Sequence, residues 1–170
     1  MTPVHPVSTA GRAERLCLAA AAAALVFVAT AFLKVPIPLG YAHLGDAVIF
    51  LAALLMPRRE AALAAALGSA LADFLGGFPL WMGPTLLIKC VMVYIVCAAA
   101  GTDRRLLSRR AVLGWILSSL WMAAGYTAFG ALLYGSLAAG LSSLPGLLAE
   151  GAANTAAACA AALLLRGRLG

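Results

Sequence analysis

Four charged side chains lie inside otherwise apolar stretches of the sequence, and they are the first candidates for chemistry. They are Asp46, Asp73, Lys89 and Glu150. An ionisable group at the centre of a bilayer costs about 2.5–3.5 kcal/mol even on a lenient insertion scale, so such groups usually pair with one another or mark a functional site. Three carboxylates and one ammonium could pair in a shared cavity and hydrogen-bond a small molecule. The pattern therefore predicts a small-molecule binding site.

Polar and aromatic residues at a similar predicted depth extend this candidate site. Asn154 follows Glu150 by four residues, so both side chains project from the same face of a helix. An aromatic ligand with a few polar edges would suit a site that combines stacking surfaces with hydrogen-bonding groups. The further candidates are His43, Tyr41, Trp81 and Thr85.

A structural interpretation of the same residues stays open. Asp46 and Lys89 could form an ion pair that only fixes helix packing, and Asp73 could cap a helix or face water. Tyr41 and Trp81 could be interfacial anchors, because aromatic residues gather at membrane surfaces in most membrane proteins.

The elements that position these residues are predicted to be membrane-spanning helices. Hydrophobic residues make up 64% of the 170 positions and the mean hydropathy is +1.01, which is more apolar surface than a soluble domain buries. We predict an all-α fold, in which residues 1–170 form one bundle of six transmembrane helices and residues 1–11 are a flexible cytoplasmic tail. The predicted spans are Leu16–Leu33, Leu39–Met56, Ala61–Leu75, Trp81–Ala100, Val112–Leu133 and Leu144–Leu165.

The arginines orient this predicted bundle. With six spans, every arginine falls on one side, which the positive-inside rule makes cytoplasmic together with both termini. The four charged residues above then lie in the outer half of the bundle. The arginines are Arg12, Arg15, Arg58, Arg59, Arg104, Arg105, Arg109, Arg110, Arg166 and Arg168.

Several function classes are disfavoured. The net charge of +6 is explained by orientation against anionic lipid, so nucleic acid need not be invoked. The sequence has no phosphate-binding loop, and we expect no cofactor and no metal. The cysteines lie in apolar blocks without metal-ligand spacing and are expected to be small packing residues. They are Cys17, Cys90, Cys97 and Cys159.

Three sequence segments resemble a known family, the substrate-binding S components of energy-coupling-factor (ECF) transporters. The similarity is greatest to the branch associated with hydroxymethylpyrimidine and pyridoxine-type vitamins. It covers about Leu39 to Ala100, and the chain departs from the family at Cys90, where a glycine is common. The segments are Leu44-Gly45-Asp46-Ala47-Val48-Ile49-Phe50, Gly68 through Asp73, and Pro84-Thr85 followed by Ile88-Lys89.

The resemblance implies a multi-pass protein of a prokaryotic plasma membrane that binds a vitamin from outside. It implies delivery through a transmembrane T component and two cytoplasmic ATPases, so the chain itself would not be an enzyme. The implied substrates are hydroxymethylpyrimidine or thiamine-related compounds first, pyridoxine-type compounds second and riboflavin third. An A-x-x-x-A pattern on the first helix contacts the T component in that family, and it is matched by Ala19 with Ala23 and by Ala20 with Ala24.

Two other functions compete with this interpretation. A small secondary transporter or channel would work without ATPases, although a chain this short rarely holds the inverted repeats of such transporters. An intramembrane enzyme could use Asp46 and Asp73 as a carboxylate pair, but no accompanying catalytic motif supports it.

Overall fold

The computed structural model describes the backbone of residues 11–169 and the side chains of residues 11–165. The predicted flexible tail, apart from Gly11, lies outside the described residues. A short 3-10 helix at Pro79–Trp81 precedes the fourth α-helix. The elements are α1 (Arg12–Phe32), β1 (Lys34–Ile37), β2 (Gly40–His43), α2 (Gly45–Leu55), α3 (Arg58–Leu75), α4 (Met82–Ala100), α5 (Arg109–Leu133), α6 (Leu137–Ser142) and α7 (Leu144–Leu169).

Four helical segments of the described chain are long and apolar enough to cross a membrane, which agrees with the predicted class of membrane protein. Helix α2 is apolar but only 11 residues long, and α3 carries several charged residues over its 18 positions. The count of six spans therefore stays a prediction. The four segments are Arg12–Phe32, Pro79–Ala100, Arg109–Leu133 and Leu137–Leu165.

The second predicted span is wrong at its start, and the all-α expectation is corrected with it. Residues Leu39–His43 do not begin a helix, because β1 and β2 pair here as an antiparallel hairpin with Ile37 opposite Gly40. Pro36 and Pro38 lack the N–H groups that a helix interior requires. The turn places Leu39 at φ +63°, in the left-handed region that non-glycine residues rarely occupy.

The bundle core is built from close helix contacts. The rings of Phe50 and Trp115 stack with centroids 6.0 Å apart between α2 and α5. Helices α1 and α3 approach so closely that a Cβ atom on Gly68 would lie 2.5 Å from the carbonyl oxygen of Ala23. Small residues allow this backbone approach in membrane helices, where packing rather than hydrophobic exclusion drives association.

Three contacts define two ends of the bundle. Arg15 at the start of α1 lies 3.9 Å from Glu60 at the start of α3, and Arg104 donates a 2.9 Å hydrogen bond to the carbonyl of Ala53 near the end of α2. We call this the arginine end. At the other end, Ser143 donates a hydrogen bond to the carbonyl of Pro38 in the hairpin turn. We call that the cavity end, for the site described next.

Candidate ligand-binding cavity

A cavity of about 470 Å³, including its open mouth, lies at the cavity end between the hairpin, the 3-10 helix at Pro79–Trp81 and helices α3, α5 and α7. Its lining is mostly apolar with a few polar groups, as in small-molecule sites. The hairpin turn and β2 supply one wall. The lining residues are Ile37, Pro38, Leu39, Gly40, Tyr41, His43, Asp73, Phe78, Trp81, Tyr126, Ser143 and Leu147.

Aromatic rings line two sides of this cavity. The rings of Tyr41 and Phe78 are tilted against each other with centroids 5.3 Å apart, and those of Trp81 and Tyr126 are 5.7 Å apart. The indole nitrogen of Trp81 is buried and has no hydrogen-bond acceptor within the described part of the chain. The walls therefore offer ring faces for a flat molecule, and the Trp81 N–H is a donor that no described residue uses.

The polar group in the cavity wall is the carboxylate of Asp73, which accepts a 2.6 Å hydrogen bond from the hydroxyl of Tyr41. Burial raises the pKa of Tyr41, and the neighbouring Asp73 raises that pKa further, so the phenol keeps its proton and donates it. Lys34 lies over the Tyr41 ring, with its ammonium 5.0 Å from the centroid. The carboxylate can accept further hydrogen bonds from a ligand.

Beneath the cavity lies a buried ion pair. The ammonium of Lys89 lies 2.5 Å from Oδ1 of Asp46, and the two side chains are 0% and 1% exposed. The same ammonium lies 5.3 Å from the ring centroid of Tyr126, which lines the cavity. Asp46 bonds Lys89 while Asp73 bonds Tyr41, so the two carboxylates have different hydrogen-bond partners.

Asn154 fixes the backbone around this pair. Its amide nitrogen donates to the carbonyls of His43 at 2.7 Å and Glu150 at 2.9 Å, and its oxygen accepts from the N–H of Ala47 at 2.8 Å. One fully buried side chain thereby ties the end of β2, the start of α2 and helix α7 together. Its hydrogen-bonding groups are occupied within the protein, which gives Asn154 a positioning role in this structure.

His43 and Glu150 face each other beside this clamp. Nδ1 of His43 accepts a 3.1 Å hydrogen bond from the N–H of Gly45 and lies 3.4 Å from Oε1 of Glu150. His43 belongs to the hairpin, outside the helices, and burial lowers the pKa of its imidazole to about 3. The ring is therefore neutral. His43, Asp46 and Glu150 are also the described residues whose side chains could share a metal ion.

The predicted site residues fall into two layers. Tyr41, His43, Asp73 and Trp81 line the cavity, and Thr85 forms a 3.0 Å hydrogen bond with the hydroxyl of Tyr126. The layer beneath contains Asp46, Lys89, Glu150 and Asn154.

Several cavity residues were not among the predicted site residues, and Tyr126 and Phe78 are the largest of them. Tyr126 lies seven residues before the end of α5, and a tyrosine inside an apolar span is indistinguishable by composition from a packing residue. Phe78 lies three residues before the predicted site residue Trp81, so its position in the sequence was a usable signal. Leu147 and the hairpin turn gave no comparable signal.

The two alanine pairs of α1 differ in exposure. Ala20 and Ala24 are exposed on the outer surface of the bundle, whereas Ala19 and Ala23 are half-buried. The backbone of Ala23 faces Gly68 of α3. The Ala20 and Ala24 face is therefore the one left open for another helix.

Comparisons with known proteins give a consistent result. The family model described as "ECF-type riboflavin transporter, S component" matches residues 12–166. A protein of Pyrococcus woesei described as "Uncharacterized protein in gap 3'region" is 37% identical over 113 residues, which are 65% of this chain and 74% of that protein. A solved structure titled "Structure and mechanism of the S component of a bacterial ECF transporter" shares the fold with a TM-score of 0.71 at 19% identity, covering 94% of this chain and 96% of that one.

Proposed function

Because this chain belongs to the S components of ECF-type transporters, a family of substrate-binding membrane proteins, we propose that its cavity captures a flat heteroaromatic vitamin for import. The observation that carries the proposal is the cavity itself, in which aromatic rings on two sides surround the carboxylate of Asp73. Ring faces bind a flat ligand, while the carboxylate and the free Trp81 N–H orient its polar edges.

The orientation of the cavity follows from the charges at the two ends. Arg15, Arg58, Arg59 and Arg104 belong to the arginine end, so the positive-inside rule makes that end cytoplasmic and opens the cavity to the outside. In this arrangement α2 and α3 complete a set of six spans with both termini cytoplasmic, in the plasma membrane of a prokaryote. Helix α3 supports this count, because 18 residues extend about 27 Å, close to the thickness of the hydrocarbon core.

Three vitamin types fit the proposal. The family description names riboflavin, whereas the sequence motifs resemble the hydroxymethylpyrimidine and pyridoxine branch. All three are flat heteroaromatic rings with polar edges. We assign ring contacts to Tyr41, Phe78, Trp81 and Tyr126, with Asp73 accepting hydrogen bonds from the ligand.

Delivery would need partners. We propose that a transmembrane T component binds the exposed Ala20 and Ala24 face of α1 and that two cytoplasmic ATPases drive the cycle. Uptake by cells should therefore stop when the T component or the ATPases are removed. Uptake that continues without them would instead support a stand-alone transporter.

The direct test is thermal stabilisation of the purified protein in detergent by riboflavin, hydroxymethylpyrimidine, thiamine and pyridoxine. A ligand at 100 times its Kd stabilises the folded state by about 2.7 kcal/mol, so the true substrate should stand out from the others. Asp73→Asn should reduce the shift, and Asp103→Asn, in the exposed loop before α5, serves as the matched control. No shift with any of the four compounds would refute a vitamin of this class.

A further inference from the structure

The layer beneath the cavity contains two buried carboxylate oxygens that lack partners. Oδ2 of Asp46 and Oε1 of Glu150 are inaccessible to solvent and have no hydrogen-bond donor among the residues that the structure describes. A buried carboxylate oxygen without a donor is costly, and such groups in native proteins have an explanation in a water, an ion or a function. Lys89 satisfies only Oδ1 of Asp46.

The ring of His43 faces one of these two oxygens, Oε1 of Glu150. Its Nδ1 accepts a hydrogen bond from Gly45, so that atom carries a lone pair and cannot donate to Glu150 at 3.4 Å. Two acceptor atoms therefore face each other in a buried place. Ligand atoms of His43, Asp46 and Glu150 all lie within 4.8 Å of one another, which is close enough for one ion to contact all three.

The donor atoms of this group favour a divalent ion. Among the described residues, the charged side chains of the layer beneath the cavity are the carboxylates of Asp46 and Glu150 and the ammonium of Lys89. Each of the two carboxylates has a buried oxygen without a donor, and one cation between them would satisfy both oxygens. One neutral imidazole with two carboxylates is a ligand set that suits zinc or manganese.

From these observations we propose that His43, Asp46 and Glu150 form a binding site for one divalent metal ion of the zinc or manganese class, immediately beneath the ligand cavity. This departs from the sequence-based expectation of no metal. A metal at Nδ1 would replace the hydrogen bond from Gly45. The ion would enter through the cavity, because His43 lines its wall. The proposal does not depend on which vitamin binds.

Asn154 is placed to preorganise this site. Its three hydrogen bonds hold the backbone of two of the proposed ligands, His43 and Glu150, and of Ala47, which follows the third. Metal ligands that are held in position by surrounding hydrogen bonds bind more tightly, and loss of such support typically costs 10–100-fold in affinity. One side chain thus fixes all three ligand-bearing segments, from β2, α2 and α7.

The test uses full-length protein carrying no histidine tag, stripped with a chelator and studied in detergent without any vitamin. Zn²⁺ and Mn²⁺ are titrated separately while thermal stability is followed, and bound metal is counted by mass spectrometry after gel filtration. We expect one of the two ions to stabilise the protein saturably with about one ion per chain. Less than a tenth of an equivalent of either metal, or no saturable stabilisation, would overturn the proposal.

Matched variants locate the ion. Glu150→Gln should weaken metal binding by at least tenfold, whereas Glu60→Gln, at the arginine end, should bind like the wild type. His43→Gln is compared with His5→Gln, because these are the two histidines of the sequence. If Glu150→Gln does not fold, the comparison of His43→Gln with His5→Gln still shows where the metal binds. Loss of metal binding in His5→Gln rather than in His43→Gln would place the metal elsewhere and refute the proposal.

Discussion

The two ends of this bundle hold their charges in opposite ways. At the arginine end, Arg105 and Asp103 pair at 3.0 Å with side chains 70% and 21% exposed. At the cavity end, Lys89 and Asp46 pair at 2.5 Å with side chains 0% and 1% exposed. Exposed pairs contribute little to stability, because water and salt screen both charges. An ion pair between a basic side chain and an aspartate therefore has different effects on stability at the two ends.

The buried pair is the one that demands an explanation. Desolvating two ions can cost as much as their attraction returns, so a buried pair is weak evidence of a stability role. Here the pair adjoins a cavity, an unpartnered Glu150 oxygen and an asparagine clamp. The arginine end needs charge to orient the protein, whereas the cavity end holds charge where a ligand can use it.

The largest effect should come from removing Lys89. Lys89→Met leaves Asp46 buried without its partner, and breaking a buried pair in this way costs about 3–5 kcal/mol. We expect a large loss of vitamin binding and a lower free energy of unfolding in mixed micelles. Lys34→Met is the matched control, because Lys34 is exposed and its ammonium lies over the face of Tyr41. Equal small effects of the two substitutions would show that the buried layer is not part of the site.

The fold was predictable where apolar length alone decides it. The fourth predicted span, Trp81–Ala100, differs from α4 by one residue, and the last predicted span begins at Leu144 as α7 does. The β-hairpin was not predictable in the same way, because its turn is formed by Pro38 and Leu39 rather than by the usual glycine or asparagine. Helix α6 was missed because it has only six residues.

The site was predictable in composition and only partly in arrangement. The cost of burying charge in lipid singled out Asp46, Lys89 and Glu150 as candidates, and the structure places all three in one buried layer. Their role in ligand binding stays a prediction. The contacts that organise this layer join residues more than 100 positions apart, such as Asn154 to His43. No spacing rule within one helix predicts such a contact, because the packing of α7 against the hairpin creates it.

A half-buried arginine of the arginine end tests the comparison next. Arg104 is half-buried and donates a hydrogen bond to the carbonyl of Ala53. Arg104→Met should lower the free energy of unfolding by about 2 kcal/mol, as expected for a hydrogen bond from a charged donor. Arg109→Met, at an exposed position, should have no measurable effect in the same denaturation assay. Equal free energies of unfolding for the two variants would show that the hydrogen bond from Arg104 to α2 does not stabilise the fold.

Trp81 tests whether the unpartnered donor of the cavity end serves the ligand. Trp81→Phe removes the free indole N–H, so vitamin affinity should fall by about 2–10-fold, the value of one hydrogen bond. Trp121→Phe is the control, because the N–H of Trp121 donates to the carbonyl of Ile88 at 3.2 Å and its loss should affect stability rather than affinity. Calorimetric titration with the identified vitamin measures the Kd of both variants. An unchanged Kd in Trp81→Phe would remove this donor from the site.

The smallest effect is expected for the exposed pair at the arginine end. Hydrogen bonds from Arg105 lower the pKa of Asp103 to about 2, so the pair contributes stability above about pH 4 and loses that contribution as the pH falls through about 2. Because the Arg105 side chain is 70% exposed, this contribution is small, and we expect Arg105→Ala to unfold like the wild type at pH 7 and at pH 3 in denaturant titrations. Lys89→Met should be destabilised at both pH values. If Arg105→Ala lost as much stability as Lys89→Met at pH 7, burial would not be what separates the two ends.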